Sequence, residues 1–430
     1  MKDIASYALE EMVKAGAEKA SCSATQGRTD EYNVEANEFT LLRTLFSDSL
    51  TLNFIKDGRK GTISVNKLDK DSVKKAVADC AALAAVGQQD EAHDVAEKIE
   101  NKDFDQTMGG ADMSALFSRT KEFIEQARAE FPTIGLRQIV SKFTGAKTAY
   151  MNSKGAAFGR ETENYLMSGG FSASEGEKTS SFNYYGASLS SLDKPFLDLG
   201  MYRALVEEAT RSVNTRAVDG KFVGKMIVTP ACEDLIWHTI IGCFLSTAPL
   251  IEGTSLWKDS LGKQVADPRL TFRAAPLHPG IVCGERYTAD GYESRDFDYI
   301  KDGVLKSFAL GLYGANKTGK PRSANTEFDA LDVAPGDAAL ADMIAGVDRG
   351  ILVNRFSGAQ PGPSGEVSGI AKNSFLIEGG KVAGALGETM ISFNILDALK
   401  NITAISKERA SNGGSVLPWC CFDGITVSGK

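Results

Sequence analysis

The chain has 430 residues, 43% of them apolar and 24% charged, with a formal net charge of −8. That length suffices for two or three domains and a large core without disulfide or metal staples. The acidic balance argues against a general nucleic-acid binder, and no window of about 18 apolar residues reads as a membrane-spanning helix.

Met1-Lys2-Asp3-Ile4 leads straight into an amphipathic pattern, unlike the apolar run of a secretory leader. A helix is predicted over residues 4–15, capped by Asp3, buried through Ile4, Ala8, Leu9, Met12 and Val13, and stopped by Gly16. Strand-like runs follow at 20–26, 38–46 and 49–55, and Asp57-Gly58 turns the chain into residues 61–65. A helix over 71–85, with Val73, Ala76, Val77 and Cys80 on one face, closes this unit before Gly87. The same order then repeats. Leu116, Phe117, Thr120, Phe123, Ile124 and Ala127 mark a second opening helix. Strand-like runs at 136–144, 147–151, 156–168 and 178–188 precede a closing helix over 198–214. The predicted organisation is a first α+β unit over 1–88, a polar linker over 89–113, a second copy over 114–219, and a third region from 220 to 430.

The third region is rich in turns. Met226 opens a short strand over 226–229, and a helix is predicted over 233–245, with Glu233 and Asp234 as charge at its N-terminal end. Asp302-Gly303 and Gly379-Gly380 sit between strand-like runs as hairpin turns, Asp290-Gly291 marks a third, and a helix is expected over 394–402. The fold class is therefore α+β: duplicated helix–antiparallel-strands–helix units followed by a mainly antiparallel β domain. Residues 356–369 form a Gly/Pro/Ser-rich loop without a Gly-Lys-Ser/Thr ending, so it is no P-loop. Glycine there permits close backbone approach, which makes Ser357, Gly358, Ser364, Gly365 and Ser368 the candidate peptide-binding residues.

The seven cysteines (Cys22, Cys80, Cys232, Cys243, Cys283, Cys420 and Cys421) are scattered and include no Cys-x-x-Cys. Buried thiols in a reducing cytoplasm are the expectation. Adjacent Cys420 and Cys421 on a strand point to opposite faces. His93, His238 and His278 are dispersed, so a His-rich metal site is excluded by counting.

Four C-terminal stretches, in order, resemble the TldD/PmbA peptidase family. They are Ser255-Leu256 through Gln264-Val265, Asp290-Gly291-Tyr292-Glu293 with residues 300–305, Phe356-Ser357-Gly358 through residue 381, and Glu388 through Ile402. Asn152-Ser153-Lys154-Gly155 is similar to a further family motif in the N-terminal half. The resemblance implies a pairing of two chain types. The TldD branch carries a His-Glu-x-x-x-His helix, in which two histidines hold a metal and the glutamate serves as base. Here the equivalent helix places Trp237 at the first histidine, His238 at the glutamate and Gly242 at the second histidine. His238 and Cys243 are five apart, a poor spacing for one metal on an α-helix.

The resemblance therefore implies the PmbA/TldE-like branch: no catalytic residue, no metal and no cofactor in this chain, with zinc expected in a TldD-like partner. The implied role is support for binding and degrading unfolded peptides, with a homodimer as the other arrangement and no direct nucleic-acid or membrane contact. Two alternatives stand beside it. One is a binding module of the gyrase-modulator type; the other is a free-standing cysteine hydrolase using Cys283, beside His278, or Cys421.

Overall fold

The computed structural model describes residues 1–97, 101–232, 234–326, 328–358 and 361–429. Glu233, expected at the start of a helix, lies outside them. The fold is mixed α and β with mostly antiparallel sheets. The first sheet uses β1 (Lys19–Glu35), β2 (Glu38–Lys56), β3 (Arg59–Val65), β4 (Asn101–Gln106), β5 (Ile134–Asn152), β6 (Ala157–Glu175), β7 (Lys178–Thr179) and β8 (Asn183–Leu189). Its path is β3-β2-β1-β5-β6-β4, and β8 also pairs with β6. The two expected N-terminal units thus share one sheet, joined by β1 against β5 from Ser21↔Asn152 to Glu35↔Gln138.

Helices cover one face of this sheet. α1 (Lys2–Lys14) and α2 (Lys70–Val86) pack on Ala20, Cys22, Ala24, Leu50, Leu52 and Phe54. α3 (Met113–Glu130) and α4 (Tyr202–Arg211) pack on Ile139, Phe143, Tyr165 and Met167. Ile139, Phe143 and Ala149 alternate on β5, so both helix pairs lie on the same side. α2 comes so close to β3 that a Cβ on Gly61 would lie inside contact distance of the Cys80 carbonyl.

Several expectations are corrected. Asp3 lies inside the first turn of α1 rather than capping it, and Val13 is exposed. β1 runs on through polar residues to Glu35, held by its pairing with β2 and β5 on both sides. Gly145-Ala146 does not interrupt β5. The linker segment contains β4, which pairs in parallel with β6 from Asn101↔Ala157 to Gln106↔Thr162. The closing helix over 198–214 is a 3₁₀ turn (Phe196–Asp198) followed by α4. Gly200 breaks it at φ +50°, where a Cβ would strike the Tyr185 hydroxyl.

The second sheet contains β9 (Thr215–Arg216), β10 (Lys221–Val228), β11 (Phe272–Ala274), β12 (Phe297–Lys301), β13 (Val304–Leu305) and β14 (Leu331–Val333). It continues through β15 (Arg349–Val353), β16 (Arg355–Gly358), β17 (Glu366–Lys372), β18 (Phe375–Glu378), β19 (Lys381–Leu386), β20 (Thr389–Asn394), β21 (Ile402–Ser411) and β22 (Ser415–Ser428). β22 is the hub, paired with β10, β14, β20 and β21. The short helices are α5 (Thr247–Ile251), α6 (Leu312–Thr318), α7 (Leu340–Ala345) and α8 (Ile395–Lys400). Asn394 caps α8 by accepting from the Leu396 N–H at 3.0 Å, close to the expected helix start. No helix among the described residues is long and apolar enough to cross a membrane.

A strap joins the two sheets. Asp90 accepts from Lys317 Nζ at 2.8 Å and from the Tyr313 hydroxyl at 2.9 Å, and His93 stacks on Tyr313. Asn316 Nδ2 donates to the Ala92 carbonyl at 3.1 Å. Lys317, the Ala92 N–H and Tyr313 hold the Asp90 carboxyl down at about 2. A depressed carboxylate stabilises the fold above its unfolded value of about 3.9 and loses that effect as pH falls through its folded value. Asp90→Asn is therefore expected to lower the thermal midpoint at neutral pH, and the gap from the parent should close as pH falls from about 4 toward 2. Glu208 behaves oppositely: burial pushes it up to about 8, and its Oε2 is sealed without a partner. Ionising it costs stability as pH rises from the ordinary carboxylate range through about 8. Glu208→Gln should raise the midpoint at pH 9 and leave it nearly unchanged at pH 5.

Candidate functional site

The helix over 234–245 has an unusual winding. Asp234–His238 and Ile241–Leu245 are π-helical, separated by two residues of α-helix, and the Ser246 N–H donates to the Ile241 carbonyl at 2.8 Å. Such turns are rare and recur at functional sites. The winding corrects the spacing argument made for His238 and Cys243: hydrogen bonds from i to i+5 bring residues five apart toward one face. The pair is nevertheless committed elsewhere. His238 Nε2 lies 3.3 Å from Asp329 Oδ1 and holds that exposed carboxyl below its usual range. The Cys243 thiol donates to the Pro361 carbonyl at 3.3 Å, and burial pushes its pKa up.

Trp237 is 3% exposed and packs on Phe272 at 5.0 Å between ring centroids. Gly242 is exposed, and a Cβ there would touch nothing. The segment from Ser255 wraps this helix: its hydroxyl donates to the Phe244 carbonyl at 2.7 Å, and Trp257 packs on Phe244. Zinc needs at least three converging N, S or O ligands. An apolar indole, a histidine turned to Asp329 and a glycine do not fit it. Among the described residues no three His, Cys, Asp or Glu side chains gather anywhere.

Beside this helix lies a cleft of about 450 Å³ between the two sheets. Among the described residues, one wall, β8, pairs only with β6, and the other, β16, pairs only with β17. Each therefore presents a strand edge, and Thr239 of the helix lines the cleft between them. Arg355 bridges the walls: its guanidinium donates to the Phe182 carbonyl and lies 4.8 Å from the Tyr184 ring. Two buried amides border the space with one atom unsatisfied each, Asn183 Nδ2 and Asn354 Oδ1.

Of the candidate peptide-binding residues, Ser357 and Gly358 line the cleft. Gly358 pairs with Gly369 across β16 and β17, and a Cβ on either would meet the Phe356 ring at 2.5 Å. The two glycines thus seat Phe356, another cleft residue. Ser364, Gly365 and Ser368 are placed elsewhere. Ser364 gives its carbonyl to Asn394, Gly365 at φ +79° lies over Phe244 and Ile395, and Ser368 pairs with Ser392. The β8 wall, Asn354, Arg355 and Thr239 were not found by sequence reasoning. Arg355 and Asn354 adjoin the Phe356-Ser357-Gly358 motif, which is the signal that could have found them.

The cysteine candidates are not set up for nucleophilic work. The Cys283 thiol donates to the Glu163 carbonyl at 3.3 Å and burial raises it, whereas an activated thiol is lowered. His278 Nδ1 instead accepts from the Gly280 N–H at 2.9 Å. Cys420 and Cys421 are buried in different core clusters.

Residues 223–429 match the family described as the PmbA/TldA metallopeptidase C-terminal domain. A metalloprotease PmbA homologue of Haemophilus influenzae is 23% identical along 100% of this chain and 96% of its own length. The C-terminal half of the chain, residues 223–429, is thus a domain of the TldD/PmbA family. A metalloprotease of Methanocaldococcus jannaschii is 24% identical over 219 residues, 48% of this chain and 47% of that protein. The chain thus spans about half the length of such archaeal relatives. TldE from Thermococcus kodakarensis has the same fold, with a TM-score of 0.82 at 20% identity over 100% of both chains. A Bacteroides thetaiotaomicron protein described as a candidate DNA gyrase modulator gives 0.86 at 22% identity, over 100% of this chain and 99% of that one.

The helix separates packing from polar contact, and two substitutions should tell them apart. Trp237→Ala is expected to cost about 3–5 kcal/mol in chemical denaturation, as for other buried tryptophans. His238→Ala, which loses a contact to an exposed carboxylate, should cost less than Trp237→Ala.

Proposed function

We propose that this chain is a non-catalytic, PmbA/TldE-like subunit that binds unfolded peptide for a TldD-type metallopeptidase partner in the cytoplasm. The reading rests on the helix over 234–245, where the family resemblance puts Trp237, His238 and Gly242 at the positions of the metal-binding motif. Zinc and the catalytic glutamate would belong to the partner.

The cleft supports the peptide-binding half of the reading. Strand edges bind extended chains through main-chain hydrogen bonds that are indifferent to sequence, which suits unfolded substrates. Here the edges of β8 and β16 face one cleft. Asn183 and Asn354, on opposite walls, give the cleft a polar lining beside its aromatic residues. Phe356 and Tyr184 add aromatic surface that accepts varied side chains.

The test is to purify the chain alone and with a TldD-type subunit. Alone, it is expected to contain no stoichiometric zinc and to cleave no peptide; together, the pair should cleave. One tightly bound zinc per chain, with cleavage by the chain alone, overturns the reading. Gly358→Val displaces Phe356 and should weaken binding of an unfolded fluorescent peptide by about tenfold, the scale of one lost hydrogen bond. Its circular dichroism spectrum should match the parent's.

A further inference from the structure

The cleft between β8 and β16 carries a charge without a countercharge. The chain holds 56 acidic residues against 48 lysines and arginines, yet among the described residues lining the cleft there is no Asp or Glu, and Arg355 is the single cation. Its guanidinium is held in place. It lies 4.8 Å from the centroid of the Tyr184 ring and 5.8 Å from that of Phe182, both exposed side chains. Aromatic rings so placed hold an arginine head by cation–π attraction and leave its N–H groups free to bond. Among the described residues Arg355 donates only from Nη1, to the Phe182 carbonyl, so its other N–H donors are open.

Two observations show that the charge exceeds what the contact between the walls requires. A neutral group serves that contact as well: Asn373 Nδ2 donates to the same Phe182 carbonyl at 3.4 Å. Moreover, Arg355 stands directly opposite Lys372 in the β16–β17 register, and such cross-strand neighbours share a face. Like charges in that position repel, and among the described residues neither cation is paired with a carboxylate. An anion seated at Arg355 would relieve the repulsion. Arginine's planar fork suits a carboxylate, which it grips through parallel N–H···O bonds. A peptide lying along either strand edge supplies that group as its C-terminal carboxylate or as an Asp or Glu side chain. A basic peptide would meet two cations and no acid.

We infer that Arg355 selects among unfolded peptides, the cleft favouring those that set a carboxylate against its guanidinium and rejecting those that set a lysine or arginine there. This rests on the peptide-binding reading of the cleft and adds the chemical class of its ligand. Main-chain pairing stays indifferent to sequence, and the charge superimposes a preference on it. The test is calorimetric binding of short peptides of one neutral, extended sequence to the full chain. The set comprises the peptide blocked at both ends, the blocked peptide with an added Asp, the blocked peptide with an added Lys, and the peptide with its C-terminus free. A carboxylate is expected to tighten binding about tenfold or more, the scale of a charge-assisted hydrogen bond, and the gain should shrink as salt is raised. Whether the Asp or the free C-terminus brings the gain tells a side-chain acid from a chain end. Arg355→Gln should make acidic and neutral peptides bind alike, and Arg355→Glu should turn the preference toward the Lys peptide. The ratio of affinities is the readout, because a change in the spacing of the walls would weaken all peptides together. Equal binding of acidic and neutral peptides by the parent overturns the inference and leaves the peptide-binding cleft standing. A preference for acidic peptides that survives Arg355→Gln also overturns it. Binding of no peptide at all removes both readings.

Discussion

One asparagine side chain sets how the two halves of the molecule meet. Asn152 ends β5, and its Oδ1 accepts from the Lys154 and Ala156 N–H groups at 3.0 Å each, which closes the turn into β6. Its Nδ2 donates to the Ala96 carbonyl at 2.9 Å, and the Ala96 N–H donates to the Asp290 carbonyl in the other half. Ser153 completes the junction by exchanging hydrogen bonds with the Ala20 backbone. A single turn around the buried Asn152 therefore fixes β1, the strap and the C-terminal region together. The stacked rings of Phe158 and Tyr287 stand beside it. Were this turn to shift, the walls of the cleft would shift with it, since β6 carries β8.

The parts legible in the sequence are those in which local chemistry and tertiary packing agree. Stripes of apolar residues mark α2 and α3, and turn residues mark the hairpin at Asp302-Gly303. The Asn152-Ser153-Lys154-Gly155 motif stood out before its role was visible. The misses share a cause. β4 is a mostly exposed polar strand, and the far end of β1 buries the polar Asp30 and Glu31, so their strand character comes from neighbours and not from their own side chains. The cleft was half legible: Ser357 and Gly358 belong to a recognisable motif. The opposite wall comes from residues more than 160 positions earlier, and no local pattern announces that meeting.

The cleft also shows how glycine acts by its absence of bulk. Gly358 and Gly369 face each other across two strands, and Phe356 rests on the flat patch they leave. An aromatic ring lying along its own strand is held without occupying the outer edge. The same economy of space would leave that edge open to another backbone. Arg355, stretched from β16 to the Phe182 carbonyl, fixes the separation of the walls.

The wide turn of the helix over 234–245 persists in a chain with no ligand pair to stabilise it. Its cause must therefore lie in its surroundings: Ile236, Trp237, Ile240 and Phe244 packed inward, and the Ser255 hydroxyl on the Phe244 carbonyl. In this fold the spacing that suits residues five apart is preorganised by the core. Substitution of side chains on such a scaffold requires no rewinding of the backbone, so a new set of groups five apart would meet with little reorganisation energy.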